Sequence, residues 1–533
     1  MLKKKLSSKF PRAFIQKKMS KKEAYVNKTF AVTFSEGGKW LFAKSKDSVI
    51  SGKGIESLLN LIRSQTKSEK RKIVVWNFHL SEMMIWAGEE SFDHVEKHTL
   101  RGYIVKYADF KNVKFKNTKE FYRLPLAELR QKKKLSSENE LSIVWECAEA
   151  ERLKNNGRIS RIPDTAIGYV SRQINGLAGF GARGAELYRL GLSIDDETHQ
   201  IISECKNGGL CGVDFDRIDY SCVVNSYDFK SFYPWIMATQ SFPHSRYICI
   251  HGLQEKSFRF WRFNEKAKNG ELRWIGRARF AFIRAKGIDW LKFDSAIQDT
   301  YTFTDLDFRI IQRDYDYIIE EFTHFIPFEA CQKLPGSLRG YIEEQFAVKE
   351  RFEEGSAEYE EAKIFLNSVF GLFCQNHVAY GKAPDCFTAK QRPLVIGVFV
   401  AAYGRYYLWD IARQHNPLAW DTDGFKTEDT LDLDSFNESR EVIGRLGKLL
   451  CEAEYADCTV FGNKQYILNG ELKLSGTDGK LATEYCRTHG IEPRVGTVIP
   501  PEYTNRVIIK EKSMVKVPYT IGKKFYEEEN YEI

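Results

Sequence analysis

No stretch of about 18 uncharged apolar residues occurs in the chain, so the sequence offers no membrane-spanning segment. Its eleven cysteines never form a CxxC pair or a Cys/His metal spacing, which argues against a zinc module or a disulfide framework. Scattered free thiols fit a reducing compartment, and cytoplasmic residence is the expectation. The N-terminus, MLKKKLSSKF, is basic but has no apolar core behind it, so it is not a secretory signal. Internal repeats and low-complexity tracts are also missing.

What is present points to several folded domains. A chain of 533 residues is too long for one core, and 43% hydrophobic with 14% aromatic content excludes wholesale disorder. The net charge is +8, unevenly placed. Lys3, Lys4, Lys5, Lys9, Arg12, Lys17, Lys18, Lys21 and Lys22 crowd the first segment, and KSEKRK (67–72) and RQKKK (130–134) follow. Such patches with interleaved aromatics suit a polyanionic partner, and they equally suit a solubilising surface.

The pattern predicts a basic arm over 1–28 and an α/β layer domain over 29–185, from β-like runs such as FAVTF and KIVVWNF. ECKNGGLCG (204–212) is a glycine-bearing junction, and VVNSYDFKSFYPWIM (223–237) is a strand breaking into a turn. Residues 341–371 read as two helices meeting at EEGS, residues 393–414 as another helix, and LAWDTDGFKT (418–427) as a hairpin turning at Asp-Gly.

Three carboxylates stand out. Residues two apart on a strand share a face, so Asp421 and Asp423 should project together, and Asp228 ends another strand. Brought to one point, they would repel unless a cation neutralised them, and they would seat Mg²⁺. WDTDG alone reads as well as a polar hairpin tip. In KIFLNSVFG, Lys363, Asn367 and Phe370 share a helical face that could meet a phosphate, a sugar and a base, or could be a plain amphipathic stripe with a snorkelling lysine.

The order of these segments resembles the family B DNA polymerases, most closely their protein-primed bacteriophage and linear-plasmid branch. DFKSFYP is similar to the first palm motif, AKIFLNSVFG to the fingers motif Lys-x-x-x-Asn-Ser-x-Tyr-Gly, and VFVAAYGRY (398–406) to the segment before the catalytic hairpin. WDTDG resembles the Asp-Thr-Asp signature, NKQYIL holds a Lys-x-Tyr motif, and KLSGTDGK (473–480) is similar to the palm–thumb junction. The motifs span 205–480 in the family's order.

The resemblance implies an α/β multidomain right-hand polymerase with palm, fingers and thumb, and an N-terminal ribonuclease H-like domain of exonuclease type. Its expected divisions are a linker and first palm part over 186–284, an insertion over 285–335, fingers over 336–380, second palm part over 381–475 and thumb over 476–533. Asp228, Asp421, Asp423 and the backbone carbonyl of Phe229 would hold two Mg²⁺ ions, with Mn²⁺ as a substitute. Lys363, with Arg351 or Lys349, would face the triphosphate of an incoming dNTP, beside Asn367 and Phe370. Tyr233 would lie under the sugar and exclude a 2′-hydroxyl. Lys464, Tyr466, Lys473, Gly208 and Gly209 would contact the DNA template-primer, and a terminal priming protein is the further partner of that branch. A phage or mobile element in a bacterial host is the implied source.

Departures from the pattern matter as much. Thr33 and Ser35 in VTFSE, and Ser81 in NFHLSEMMI, stand where the family's exonuclease has acids, although Asn77, Glu36 and Glu82 are nearby. In YVSRQI, Tyr169 is kept and Arg172 falls near an expected acid. The expectation is an exonuclease fold without hydrolysis. Phe370 replaces tyrosine, Gly424 replaces serine, and Lys206 replaces the tyrosine of the linker motif. GKAPDCFTAKQRPLVIG (381–397) is too short for the branch's second insertion, so weak strand displacement is expected. A catalytically silent nucleic-acid-binding relative and a template-independent nucleotidyltransferase are the competing readings.

Overall fold

The computed structural model describes residues 28–522 except 36–38, 46–47, 67–72, 88–90, 99–103, 111–112, 119–120, 122–128, 132–138, 155–169, 171–172, 175–194, 245–246, 294–298, 375–393, 505 and 511–512. The basic arm, the KSEKRK run, most of RQKKK, Glu36, Tyr169, Arg172 and nearly all of the short second insertion lie outside the described residues. The chain divides into two units, Met1–Ala166 with Ile508–Val515, and Ile167–Val507 with Lys516–Ile533. The division after Ala166 falls before the expected boundary at 185, and one short part of the expected thumb groups with the first unit.

A seven-stranded sheet forms the first unit, in the order β3 (Ser48–Lys53), β2 (Lys39–Ser45), β1 (Ala31–Ser35), β4 (Ile73–Asn77), β7 (Val113–Asn117), β6 (Ile104–Phe110), β5 (His94–His98). β1, β4 and β7 run parallel and the flanking strands antiparallel. The sequence of β4, IVVWN, explains its central place: all five residues are buried, as a strand covered on both faces requires. Leu58, Leu59 and Ile62 of the Ile55–Thr66 helix and Met83 and Met84 of the Leu80–Ala87 helix share a core with Val75, Val113 and Phe115. Each such side chain contributes roughly 1.5–3 kcal/mol by leaving water.

The second unit centres on an antiparallel sheet with the order β19 (Glu471–Leu474), β18 (Gln465–Leu468), β17 (Leu449–Gly462), β9 (Ser221–Phe229), β16 (Gly424–Thr427), β15 (Ala419–Asp421), β8 (Cys211–Val213). A second sheet, β12 (Thr300–Thr304), β11 (Arg273–Ala285), β13 (Tyr315–Phe328), begins at Arg273, ahead of the boundary expected at 285. β10 (Ser241–Pro243) pairs with β14 (Cys331–Lys333). The helices Gly336–Arg351 and Ala357–Phe373 meet at the EEGS break, where Gly355 takes a φ of 83°. The Leu394–Ala412 helix is long and apolar enough to cross a membrane, but it is mostly buried in this unit's core. None of the described cysteines forms a disulfide.

Two buried ion pairs tie this unit together. Arg405 donates from Nε and Nη2 to both carboxylate oxygens of Asp307, each at 2.8 Å, and from Nη1 to the carbonyls of Asn207 (3.1 Å) and Gly208 (2.9 Å). Arg273 pairs with Asp305 at 3.0 Å and donates to the Tyr403 hydroxyl. Asp307 also closes a capping box with Thr304 at the head of the Asp305–Asp314 helix. Removing one partner leaves an unpaired buried charge. Asp307→Ala should therefore destabilise this unit by about 3–5 kcal/mol in urea unfolding. A loss below about 1 kcal/mol would place the pair among weak surface bridges instead.

Candidate active site

Asp228 is the next-to-last residue of β9, and its neighbours in the sheet are Gly424 on one side and Leu450 on the other. The β15–β16 hairpin pairs Asp421 with Gly424, so its turn is Thr422-Asp423 rather than Asp423-Gly424. Thr422 adopts a φ of 57° to make that turn. Asp423 is thus a turn residue, and the strand alternation expected to align it with Asp421 does not apply.

The backbone closes tightly around this point. Phe229 N donates to the Asp423 carbonyl at 2.8 Å, joining the ends of both carboxylate-bearing segments. A Cβ on Gly424 would lie 2.5 Å from the Tyr227 carbonyl and 2.7 Å from Asp228 Oδ1, which accounts for glycine where the family motif has serine. A Cβ on Gly209 would meet Thr422 Oγ1 at 2.7 Å, so the 206–210 loop lies directly on the hairpin tip. The Thr422 N–H donates to the Leu210 carbonyl at 2.7 Å.

The three acids are not equivalent. Burial and then the charge of Asp423 push Asp228 up to about 8. Burial and then the charge of Asp421 raise Asp423 to about 6. Asp421 is turned to other partners: Lys464 Nζ at 2.9 Å, the Cys211 thiol at 3.2 Å and the Thr422 hydroxyl at 2.9 Å. Burial works against the Lys464 charge, yet its bond to Asp421 holds it above the usual lysine value. Among the described residues, no group of three His, Cys, Asp or Glu side chains is assembled to hold a metal. Asp423 is nevertheless linked to both other acids: its charge raises Asp228, and the charge of Asp421, itself tied to Lys464, raises Asp423. Two half-buried, mutually repelling carboxylates are a hard-oxygen donor set that a divalent cation would relieve.

Two charged groups here were not anticipated. Glu452 sits at a bulge between Cys451 and Ala453 of β17, and its charge raises both Asp228 and Asp423. Lys426 on β16 is lowered by burial, while the charges of Asp421, Asp228 and Glu452 act to raise it; its Nζ is 4.7 Å from the centre of the Tyr466 ring. Tyr466 lies opposite Lys473 in the β18–β19 register, and Lys473 Nζ is 3.4 Å from Glu471.

Tyr233 packs on Phe370 at 4.3 Å between ring centres, and burial raises its hydroxyl above the ordinary tyrosine range. On the same helix Lys363 reaches within 5.6 Å of the Tyr359 ring, and Lys349 approaches that ring to 5.4 Å from the neighbouring helix. Lys349 is 7% exposed, donates to Ser231 Oγ at 3.2 Å, and is lowered by burial, Lys230 and Lys363. Arg351, expected at that place, is exposed at the helix end, and Asn367 is exposed as well. The periodicity of Leu338, Tyr341, Ile342 and Phe346 extends to 349 and not to 351, a signal that was available in the sequence. Gly208 is held by Arg405 through its carbonyl, and Lys206 Nζ donates to the Cys374 carbonyl. The Phe229 ring stacks on Phe232 at 4.4 Å.

In the first unit, Ser81, at a position where an acid was expected, and Asn77, which matches the pattern, both have backbone partners. Ser81 Oγ accepts from Val105 N at 3.0 Å, and Asn77 Oδ1 accepts from His79 N at 2.8 Å. His79 Nε2 lies 3.2 Å from Glu140.

Known proteins were compared with this architecture. No family model matches the chain. Over 164 residues it is 28% identical to the DNA polymerases of Bacillus phages Nf and M2, a span of 30% of this chain and 27% of theirs. A structure of phi29 DNA polymerase with primer-template DNA and incoming nucleotides superposes with a TM-score of 0.64 at 14% identity, over 93% of this chain and 99% of that one. A phi29 complex with primer-template DNA gives 0.66, also at 14% identity, over 93% and 100%. The fold is that of phi29 DNA polymerase. The resemblance to family B polymerases and their protein-primed phage branch accordingly stands, as does the right-hand fold with an exonuclease-type domain.

The raised carboxylates generate a prediction with a definite sign. Without metal, the folded chain keeps protons that the unfolded chain has lost, so the contribution of Asp228 and Asp423 to stability falls as pH rises from about 4 toward 8. Divalent cation binding needs the ionised pair, so Mg²⁺ should release protons and bind more tightly as pH rises through 6 to 8. Calorimetry in buffers of different ionisation enthalpy measures that release. Binding without proton release, or binding undiminished in Asp228→Asn, would show that the pair is not the seat.

Proposed function

We propose that the chain is a template-directed DNA polymerase that extends a primer end with dNTPs through two Mg²⁺ ions held by Asp228 and Asp423, and that it lacks proofreading. The observation that carries this reading is the meeting of two like-charged carboxylates from distant parts of the chain, joined through the Phe229–Asp423 backbone bond. The motif order and the likeness to phage DNA polymerases support it.

Phosphoryl transfer depends on alignment and charge neutralisation more than on covalent chemistry. Bound at the pair, the ions would supply activation of the primer hydroxyl and neutralisation of the leaving pyrophosphate. The chain's own groups do the rest. Asp228 and Asp423 carry the negative charge that fixes the donor set. Lys363 and the buried Lys349 present positive charge for a triphosphate from two helices. Tyr233, backed by Phe370, forms a wall against a ribose 2′-hydroxyl. Lys464 holds Asp421 aside and, with Tyr466 and Lys473, offers contacts to the primer strand.

The serines and threonine at the exonuclease positions of the first unit cannot supply the carboxylate oxygens that two-metal hydrolysis uses. Incubation with Mg²⁺ and labelled single-stranded DNA should leave the DNA intact. Metal-dependent shortening abolished by changing Glu36 or Glu82 would overturn that part of the proposal.

Primer extension on a defined template is the direct test, with DNA, RNA and protein hydroxyls offered in turn as primers. Asp423→Asn should abolish addition while template-primer affinity stays within a few-fold; equal loss of both would make the residue structural. Tyr233→Ala should raise ribonucleotide incorporation by about ten- to a hundredfold, the loss of one steric contact in the transition state. Unchanged sugar discrimination would place the gate elsewhere.

A further inference from the structure

The Phe258–Lys268 helix, capped by Ser257, lies outside every motif and away from the acidic pair in sequence. Phe260, Asn264 and Ala267 form its buried stripe, spaced i, i+4 and i+7. Its opposite face is unusual. Phe258 is 72% exposed and Trp261 55% exposed, and their rings stack at 5.7 Å with 19° between planes. Large aromatics are normally withdrawn from water, and two stacked on one outer face form a ready flat platform.

Arg259, Arg262 and Lys266 run beside the ring pair at i, i+3 and i+7, and Lys256 precedes the helix. These four cations make no ion pair among the described residues. The nearby acids are engaged: Glu265 with Lys268 at 3.1 Å, and Glu255 with the Tyr317 hydroxyl at 2.9 Å. An aromatic stripe and a basic stripe side by side match a strand whose bases stack and whose phosphates alternate with them. Duplex bases are already stacked on each other, so the rings suit a single strand.

We propose that the exposed Phe258–Trp261 pair and the Arg259–Arg262–Lys266 stripe form a binding platform for single-stranded nucleic acid, separate from the catalytic residues. Bases would stack on the Trp261–Phe258 pair while the arginines take the flanking phosphates.

The test is photocrosslinking of the full chain to a bromouracil-substituted single-stranded DNA, with peptide mapping, together with equilibrium binding of the same oligonucleotide. An adduct on the 257–268 segment that disappears in Trp261→Ala is expected. Phe258→Ala/Trp261→Ala should weaken binding about tenfold, in the range for loss of stacking. Arg259→Gln/Arg262→Gln should lower the salt dependence of binding by about two phosphate contacts. Both pairs are exposed, so the variants should keep the native circular dichroism and unfolding profile. No adduct on this segment with unchanged affinity would overturn the platform. So would loss of a protein partner by the double alanine variant with oligonucleotide binding intact. Binding requires no nucleotide addition, so a chain that failed to polymerise would still test this site, and an active polymerase without the adduct would refute the platform alone.

Discussion

The constraint on which the second unit depends is electrostatic: two half-buried carboxylates are brought near one another, where the charge of one opposes ionisation of the other. Left to itself, the pair would separate or stay protonated. The fold prevents separation by anchoring both ends through backbone rather than side chains. Asp228 is fixed in a central strand with partners on both sides, and Asp423 is fixed in a two-residue turn whose carbonyl accepts from the next residue of that strand. The backbone positions of both acids are therefore set by sheet hydrogen bonds. The charges around them are graded: Lys464 pairs with Asp421, Lys426 and Lys230 act to lower Asp228, and burial with the neighbouring acids still leaves Asp228 and Asp423 raised.

Much of this was legible from residues alone because its signals are local. Asp228 stands where a strand gives way to Ser-Phe-Tyr-Pro, the helices around EEGS obey helical spacing, and the Leu394–Ala412 helix was expected within two residues of its ends. What escaped depended on one residue of register or on distant partners. Alternation presumed Asp423 on a strand, and a turn shifted by one residue removed that premise. Arg351 and Lys349, the two cations expected at this place, are two residues apart, about 200° around a helix, so the fold turns Lys349 inward and leaves Arg351 exposed. Glu452 entered the site through a bulge in β17, which no local pattern announces.

Arg405 illustrates a second kind of illegibility. Its segment was recognised, but not what its side chain holds. By bridging Asp307 to the carbonyls of Asn207 and Gly208, it fastens the glycine loop that lies against Thr422. A buried ion pair is weak support for overall stability, since desolvation offsets much of the attraction. Its value here is geometric. The same guanidinium fixes the junction before β8 and the helix after β12, so the hairpin tip bearing Asp423 rests on a loop that cannot drift independently.

The first unit makes the complementary point, that its scaffold does not rest on the positions where acids were expected. Its sheet is held by β4, buried along its whole length, and by the Met83, Met84, Leu58 and Leu59 layer around it. None of that energy comes from residues at the positions where acids were expected. Ser81 spends its hydroxyl on the Val105 amide, and Asn77 spends its amide oxygen on the turn at His79. A carboxylate at residue 81 would be nearly buried, at a serine now 8% exposed, and would have to offset its desolvation with a metal or several donors. Neutral hydroxyl and amide groups avoid that cost and still satisfy the backbone, so the sheet has a physical reason to be stable with them.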